Sequence, residues 1–131
     1  PFHMSKRYRF DVFPTDHIRI QREYDWPSYG LVMTDTQTDE TVFFSGDSRF
    51  AFDSYGPAMN AAKMCFHDTQ LSEQREPVHA LLSELRTMPA DVKKKTTLYH
   101  YGDEWDDPAY GFVAEEFAGF AKPQKRYVLF E

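Results

Sequence analysis

The 131-residue chain has only one cysteine, Cys65, so it cannot form an internal disulfide framework. Cys65 lies in an apolar stretch, and we interpret it as a small buried hydrophobe in a protein of a reducing compartment, the cytoplasm. No apolar run reaches the length of a membrane span, and no signal peptide is visible. The sequence therefore predicts a cytoplasmic protein that has no membrane partner.

Positive charge is also scarce, because 15 Lys and Arg residues stand against 21 Asp and Glu residues and leave a formal net charge of −6. A general binder of duplex DNA needs cationic side chains to displace counterions, so duplex DNA is excluded as a partner. The same charge disfavours an RNA-binding module that stacks bases on exposed aromatic rings. A small phosphate-bearing substrate that is held through a metal stays compatible with it.

Apolar and aromatic residues are abundant, at 41% and 17% of the chain, which is too much for a disordered protein. The length fits one domain with a moderate core, and no repeat, linker or low-complexity segment divides it. We interpret Pro1–Met4 as a cloning remnant before a native start at Ser5, and His3 is discounted as a site residue. The predicted domain is therefore 5–131.

Alternating and helical patterns predict strands interleaved with helices, which is typical of an α/β or α+β sandwich. Gln21–Ser28 is predicted to be a loop. The predicted strands are Arg7–Phe13 (ended by Pro14), Ile18–Ile20, Tyr29–Thr34, Thr41–Phe44, Met64–Phe66, Thr96–Tyr101 and Arg126–Phe130. The predicted helices are a short one opened by Pro57, the amphipathic Pro77–Met88, Ala90–Lys95 and a turn that starts at Asp107-Pro108.

The run FFSGDS, Phe43 to Ser48, is the most informative stretch, because an apolar strand ends abruptly in a glycine and a carboxylate. A second strand ends in the same way at TTLYHYGD, which places His100 at its end. Asp47 alone has a serious alternative reading as an Asx-turn that caps backbone N–H groups. His100 alone is about as compatible with a core histidine as with a metal ligand.

Three further polar residues lie at or beside predicted element ends, and each has an ordinary structural reading of its own. His17 reads as a solvated loop histidine, Asp68 as the N-cap of a turn, and His79 as a surface histidine in a first helical turn. Together with the two strand-end residues they read differently, because the imidazoles of His17 and His100 and the carboxylate of Asp47 suit zinc, manganese or iron. A carboxylate can also bridge two metals that activate water for attack on a phosphodiester, with the remaining groups handling protons.

These motifs, in this order, resemble the metallo-β-lactamase fold, specifically its phosphodiesterase-like and ribonuclease Z-like branch. His17 followed by Tyr29-Gly30 looks like that branch's metal-binding histidine before a "YG" strand. VFFSGDSR, at Val42–Arg49, is similar to the "SGDTR" motif, whose aspartate bridges two metals. The resemblance implies that Asp47 is the bridging ligand.

The second half of the chain carries the rest of the resemblance. CFHDTQ, at Cys65–Gln70, looks like a "HEAT"-type segment with Asp68 at the acidic position. His79 falls on the family's later histidine motif, and LYHYGD, at Leu98–Asp103, is similar to the strand-end motif with the last metal-binding histidine, His100. The resemblance implies His17, Asp47 and His100 as metal ligands, with Asp68 and His79 as the catalytic residues that support proton transfer.

One departure from the family is decisive, because its HxHxDH motif is absent and no H-x-H occurs in the chain. That motif lies in the first half of an αββα sandwich, so we expect an α/β fold that forms the C-terminal half only, a mixed sheet with helices on one face. We then expect zinc or manganese in the complete enzyme, weak or no metal binding by this chain alone, and no hydrolase activity without the N-terminal half.

A half sandwich exposes the sheet face that should pack on the missing half. The expected partner is therefore the missing N-terminal half, or a second copy that covers the exposed sheet face. The main alternative function is a non-catalytic interaction or oligomerisation module that keeps the fold.

Overall fold

The computed structural model describes residues 1–3, 5–20, 24–73 and 78–131. Within these residues, one mixed sheet of seven strands has the spatial order β1 to β7. The strands are β1 Phe2–His3, β2 Tyr8–Ile20, β3 Tyr24–Asp35, β4 Thr41–Phe44, β5 Met64–Asp68, β6 Thr96–Tyr99 and β7 Gly119–Phe120. The helices are α1 Phe52–Ala61, α2 Leu82–Leu85, α3 Ala90–Lys94 and α4 Val113–Glu116.

The direction of the strands decides where polar side chains collect. β1 to β4 pair antiparallel, whereas β4 to β7 are parallel to one another. The carboxyl ends of β4, β5 and β6 therefore lie at one edge of the sheet, and the carboxyl-terminal part of β2 runs to the same edge. We call this the site edge.

One face of the sheet carries all four helices and the main apolar core. Phe43, Cys65 and Leu98 point to this helix face, since they alternate along their strands, and each is fully buried. Cys65 is a free thiol whose pKa is raised to about 11 by burial, so it acts as a core residue and is not activated as a nucleophile. The helices contribute Tyr55, Met59, Leu82, Leu85, Val92 and Val113 to the same core cluster.

The opposite face, which we call the open face, is lined by Phe10, Val42, Phe44 and Phe66 and carries none of the four helices. Phe44 and Phe66 stack with ring centroids 4.9 Å apart. The C-terminal segment 121–131 crosses this face in irregular conformation, and its Tyr127 ring meets the Phe66 ring edge-on at 5.3 Å. The mixed sheet with helices on one face, predicted from the sequence, is thus confirmed.

Several predicted strand boundaries are wrong. Pro14 does not end β2. Among the described residues, β1 pairs with Arg9 and Phe10 of β2, so β2 is the outer strand at Pro14. The missing N–H of a proline is tolerated in an outer strand. The predicted loop 21–28 is partly strand, since β3 already begins at Tyr24, while residues 21–23 lie outside the described residues. The predicted last strand, 126–130, is irregular. The outermost strand on that side of the sheet is β7 instead.

The helix predictions were wrong mainly in their starts. Pro57 does not open α1 but lies inside it, five residues after Phe52, where it removes one helical hydrogen bond. The predicted helix Pro77–Met88 is reduced to α2, Leu82–Leu85, and Pro77 itself lies outside the described residues. The prediction for 90–95 is close to the observed α3, and Asp107 caps the 3-10 turn Pro108–Tyr110 as its sequence indicated.

The ion pair between the buried Asp35 and the partly exposed Arg7 predicts how stability depends on pH. Arg7 donates to Asp35 Oδ2 at 2.6 Å from Nη2 and holds the pKa of that carboxyl below its usual 3.8. A carboxyl with a lowered folded-state pKa stabilises the fold above the unfolded value, and this contribution is lost as the pH falls through the lowered value. Thermal melts from neutral to acid pH should therefore show a smaller acid-induced loss of Tm for Asp35→Asn than for wild type. Equal losses would contradict this assignment.

Candidate metal centre

The site edge brings together all five residues singled out from the sequence. Asp47 follows β4, Asp68 ends β5 and His100 follows β6, as the parallel strand directions require. His17 reaches the same edge from β2, and His79 comes from the segment before α2. Their grouping is a fact of the structure, whereas their roles as ligands or proton carriers stay predictions.

Asp68 and His79 form the closest pair. The Asp68 carboxylate is fully buried, and its Oδ2 lies 2.6 Å from His79 Nδ1. The sequence placed His79 in a helical turn, but it precedes α2, where Gln70 N–H donates to the Ala80 carbonyl and Leu82 N–H donates to the Gln70 carbonyl. This isolated parallel bridge draws His79 to the site edge.

The charge on Asp68 is costly to bury. Burial raises the pKa of the Asp68 carboxyl, while hydrogen bonds from Ser48 N–H, at 2.9 Å, and from His79 oppose that rise. A carboxylate that is buried yet bonded to an imidazole forms the usual arrangement for moving protons.

His100 lies between the two carboxylates. Its Nδ1 is 3.1 Å from Asp68 Oδ1 and 3.3 Å from Asp47 Oδ1. His100 has φ = 60°, a left-handed backbone conformation that a non-glycine residue adopts at a cost of about 1 kcal/mol or more. Among the described residues, Asp39 and Gln124 also have φ near 60°, but His100 is the one whose imidazole faces two carboxylates.

His17 joins the cluster through a β-bulge. The register of β2 against β3 shifts between Thr15 and Ile18, so that two residues of β2 oppose one of β3. The backbone carbonyl of His17 accepts from Arg49 Nε at 2.9 Å, which fixes the bulge against the loop that carries Asp47. The His17 ring lies 5.0 Å from the His79 ring, and its Nδ1 is 3.0 Å from the Val78 carbonyl.

The loop after β4 owes its shape to residues that the sequence reading missed. The carbonyl of Gly46 accepts from Ser45 Oγ at 2.7 Å and from the Tyr99 hydroxyl at 2.8 Å. Ser45 Oγ also accepts from Asp68 N–H at 2.8 Å, so one hydroxyl links the ends of β4 and β5. The position of Ser45 and Tyr99 directly beside Gly46 and His100 in the two strand-end motifs was the available signal.

The donor set fits a divalent metal. Single ligand atoms of Asp68, His79 and His100 lie within 4.8 Å of one another. Among the described residues, three buried side-chain oxygens have no hydrogen-bond partner, and all three are at this edge: Ser48 Oγ, Asp68 Oδ1 and Thr69 Oγ1. Two ligands of a tetrahedral ion, each about 2.1 Å from it, are about 3.4 Å apart, which is close to the separation of Asp47 Oδ1 and His100 Nδ1.

Comparison with solved structures defines the fold of the protein. The structure superposes on a crystal structure of the metallo-β-lactamase fold protein YhfI from Bacillus subtilis with a TM-score of 0.63, at 17% identity over 92% of this chain and 48% of that one. The short form of human tRNase Z gives 0.54 at 17% identity, with 79% and 40% covered. Unliganded yeast PDE1 gives 0.55 at 16% identity, with 86% and 39% covered. The protein has the metallo-β-lactamase fold.

The family is shown by sequence. The family described as "Anti-Pycsar protein Apyc1" matches residues 1–127, and the chain belongs to this family. The Apyc1 protein of Paenibacillus harenae is 39% identical over 99 residues, 75% of this chain and 36% of the relative. The Apyc1 protein of Paenibacillus xerothermodurans is 33% identical over 91 residues, which are 68% of this chain and 34% of that relative. The chain thus spans about a third of the length of these relatives.

Among the described residues, no helix is long and apolar enough to cross a membrane.

Proposed function

We propose that this chain is the C-terminal portion of a metal-dependent, phosphodiesterase-like hydrolase, with the active site completed by a first half that carries the HxHxDH motif. The convergence of Asp47, Asp68 and His100 at one sheet edge, with the buried Asp68 Oδ1 facing His100 Nδ1 at 3.1 Å and making no hydrogen bond of good geometry, is the observation that carries the proposal. Family membership and the fold class, which includes a tRNase and a PDE, support it.

In this proposal, His17, Asp47 and His100 would hold zinc or manganese once the first half supplies the remaining ligands. A metal held there would act as a Lewis acid toward a phosphoryl oxygen and supply an activated water. Asp47 and His100 are suited to this role because their side chains are about half exposed, at 52% and 46%, and can reach an ion shared with a second half.

Asp68 and His79 are proposed to handle the protons. The hydrogen bond from His79 Nδ1 to Asp68 Oδ2 fixes the ring and leaves Nε2 as the atom that faces a substrate. Protonated His79 would donate to the leaving alkoxide of a phosphodiester and become neutral, and the buried Asp68 carboxylate would stabilise the imidazolium before that transfer.

Metal titration of the whole chain tests these roles. We expect Kd for Zn²⁺ or Mn²⁺ of about 10 µM or weaker, since too few ligands are present to close either coordination shell. Asp47→Ala should weaken binding at least about tenfold, whereas Asp68→Asn should weaken it less. Asp91→Asn removes a carboxylate from α3, before the amino end of β6, and serves as the matched control.

The outcomes separate the alternatives. If Asp68→Asn abolishes binding while Asp47→Ala leaves it intact, then Asp68, His79 and His100 are the ligands and the proposed proton roles fail. If wild type takes up no metal and forms a stable dimer by light scattering, the interaction module is favoured. A specific observation supports that second function: none of the four helices lies on the open face, and its Phe66 ring meets Tyr127 of the irregular segment 121–131.

A further inference from the structure

His67 is a fully buried polar residue for which the proposed chemistry has no use. It follows Cys65 by two positions on β5, so it points to the helix face and lies beneath α1. Its ring contacts those of Tyr55 and Phe43, with centroids 5.3 Å and 6.4 Å away. A buried imidazole must find partners for both nitrogens, or its burial is costly.

Both ring nitrogens have close partners, and the partners define the tautomer. His67 Nδ1 is 2.7 Å from the Asp68 carbonyl oxygen, which can only accept, so Nδ1 carries the hydrogen. His67 Nε2 is then unprotonated and accepts from the Tyr55 hydroxyl at 2.7 Å, a contact much shorter than the 3.4 Å from that hydroxyl to the Arg49 carbonyl. The same hydroxyl accepts from Ala51 N–H at 2.8 Å. Burial lowers the pKa of His67 to about 4, which agrees with a neutral ring.

These bonds form a chain from α1 to the site edge. The hydroxyl of Tyr55 holds the His67 ring, and the ring holds the carbonyl of Asp68. The backbone N–H of Asp68 is held from the other side by Ser45 Oγ. Both backbone polar groups of Asp68 are thus bonded to buried side chains, at the residue where β5 ends and the carboxylate turns toward His79 and His100.

We propose that His67 is a positioning residue, which fixes the main chain of Asp68 through its Nδ1–H and thereby aims the Asp68 carboxylate at His79 and His100. This inference rests on the proposed function only in the role given to Asp68. Small displacements of that carboxylate would break the 2.6 Å contact with His79, on which proton transfer depends.

Two substitutions separate the hydrogen bond that His67 Nδ1 makes from the one that His67 Nε2 makes. Asn places an amide nitrogen the same number of bonds from Cβ as His Nδ1, so His67→Asn keeps the donor to Asp68 and loses the link to Tyr55. Gln reaches as far as Nε2, so His67→Gln keeps the link to Tyr55 and loses the donor to Asp68. Cys65→Ala, on the same face of β5, is the control for a general loss of packing.

The readout is the NMR signal of the hydrogen-bonded His79 Nδ1 proton in the metal-free full chain. We expect this downfield signal in wild type, His67→Asn and Cys65→Ala, and its loss in His67→Gln. Circular dichroism melts should show a lowered Tm for both Cys65→Ala and His67→Gln. Because no metal is present, a failure of metal binding leaves this test intact, and the two proposals can fail separately.

Retention of the His79 signal in His67→Gln would show that His67 only fills the core, and would overturn the proposal. Loss of the signal in His67→Asn would also overturn it, because the donor to Asp68 is retained there. If His67→Gln does not fold, the ¹⁵N chemical shifts of the His67 ring in the wild-type chain decide, because the proposal requires the hydrogen on Nδ1. A hydrogen on Nε2 instead would overturn the proposal.

Discussion

Mixing this chain with a separately supplied first half of the fold that carries HxHxDH is expected to raise hydrolysis of a chromogenic phosphodiester at least about 10³-fold above either half alone. That factor corresponds to about 4 kcal/mol of transition-state stabilisation. It is reasonable because the chain offers Asp47 and His100 at the site edge, while the HxHxDH motif, which we propose supplies the remaining ligands, is absent from its sequence.

Assembly has a structural condition. In a two-sheet sandwich, the first half would pack on the open face, where Phe44 and Phe66 stack and the C-terminal segment crosses them. Tyr127 and Phe130 contact Phe66 and Tyr8, so these rings would have to leave when the halves join. Activity is therefore expected to develop slowly after mixing and to saturate with the concentration of the first half.

The controls use single substitutions in this chain. Asp47→Ala and His100→Ala should leave the mixture at the level of the separate halves, whereas Asp91→Asn should restore hydrolysis like wild type. Asp68→Asn should assemble and bind metal but hydrolyse poorly, because the proton partner of His79 is neutralised. If a properly folded first half binds this chain and no hydrolysis appears, the split-enzyme hypothesis fails and the interaction module gains support.

The sequence predicted that Asp47, Asp68 and His100 lie at strand ends, because each directly follows or ends an apolar run. The parallel pairing of β4, β5 and β6, which the structure supplies, places those ends together. His17 could not be placed in this way. Its position depends on β2 continuing through Pro14 and on the bulge after Thr15, which are set by pairing with β3 and leave no local pattern.

The parts of the site that escaped prediction are held by hydrogen bonds between distant residues. The pattern at Pro77–Met88 indicated an apolar stripe, and its leucines are buried. The bridge between Gln70 and Leu81 nevertheless prevents a helix before Leu82 and places His79 at the site edge. Tyr99 is separated from Gly46 by more than fifty residues, and its hydroxyl meets the Gly46 carbonyl only because β4, β5 and β6 are adjacent. Such contacts follow from the assembled sheet and cannot be read from neighbouring residues.

Gly46→Ala is expected to be the most damaging single substitution outside the proposed ligands. Gly46 has φ = +64°, and a Cβ there would lie 2.1 Å from the backbone carbonyl oxygen of Tyr29. An alanine would have to bear the left-handed conformation, which costs about 1–2 kcal/mol, and would also have to push the loop away from β3. We expect a total loss of about 3 kcal/mol in the free energy of unfolding, measured by urea denaturation.

The same change should remove metal binding, and this links the fold to the site. The Gly46 carbonyl is held by Tyr99 and Ser45, and Ser45 holds Asp68 N–H, so a displaced loop moves Asp47 and loosens Asp68 together. Gly119→Ala is the matched control. Gly119 also has a positive φ, +104°, but a Cβ there meets no atom within 4 Å.

Gly119→Ala should therefore show the cost of backbone strain without a close contact, about 1–2 kcal/mol, and keep wild-type metal affinity. Because φ = +104° lies farther from the left-handed helical region than +64°, the difference between the two alanine variants is a lower bound on the cost of the close approach of Gly46 to Tyr29. A larger loss of stability in Gly119→Ala than in Gly46→Ala would contradict the importance of this approach. Wild-type metal affinity in Gly46→Ala would mean that the glycine turn does not position Asp47, and the SGDS motif would then keep only its reading as an ordinary Asx-turn.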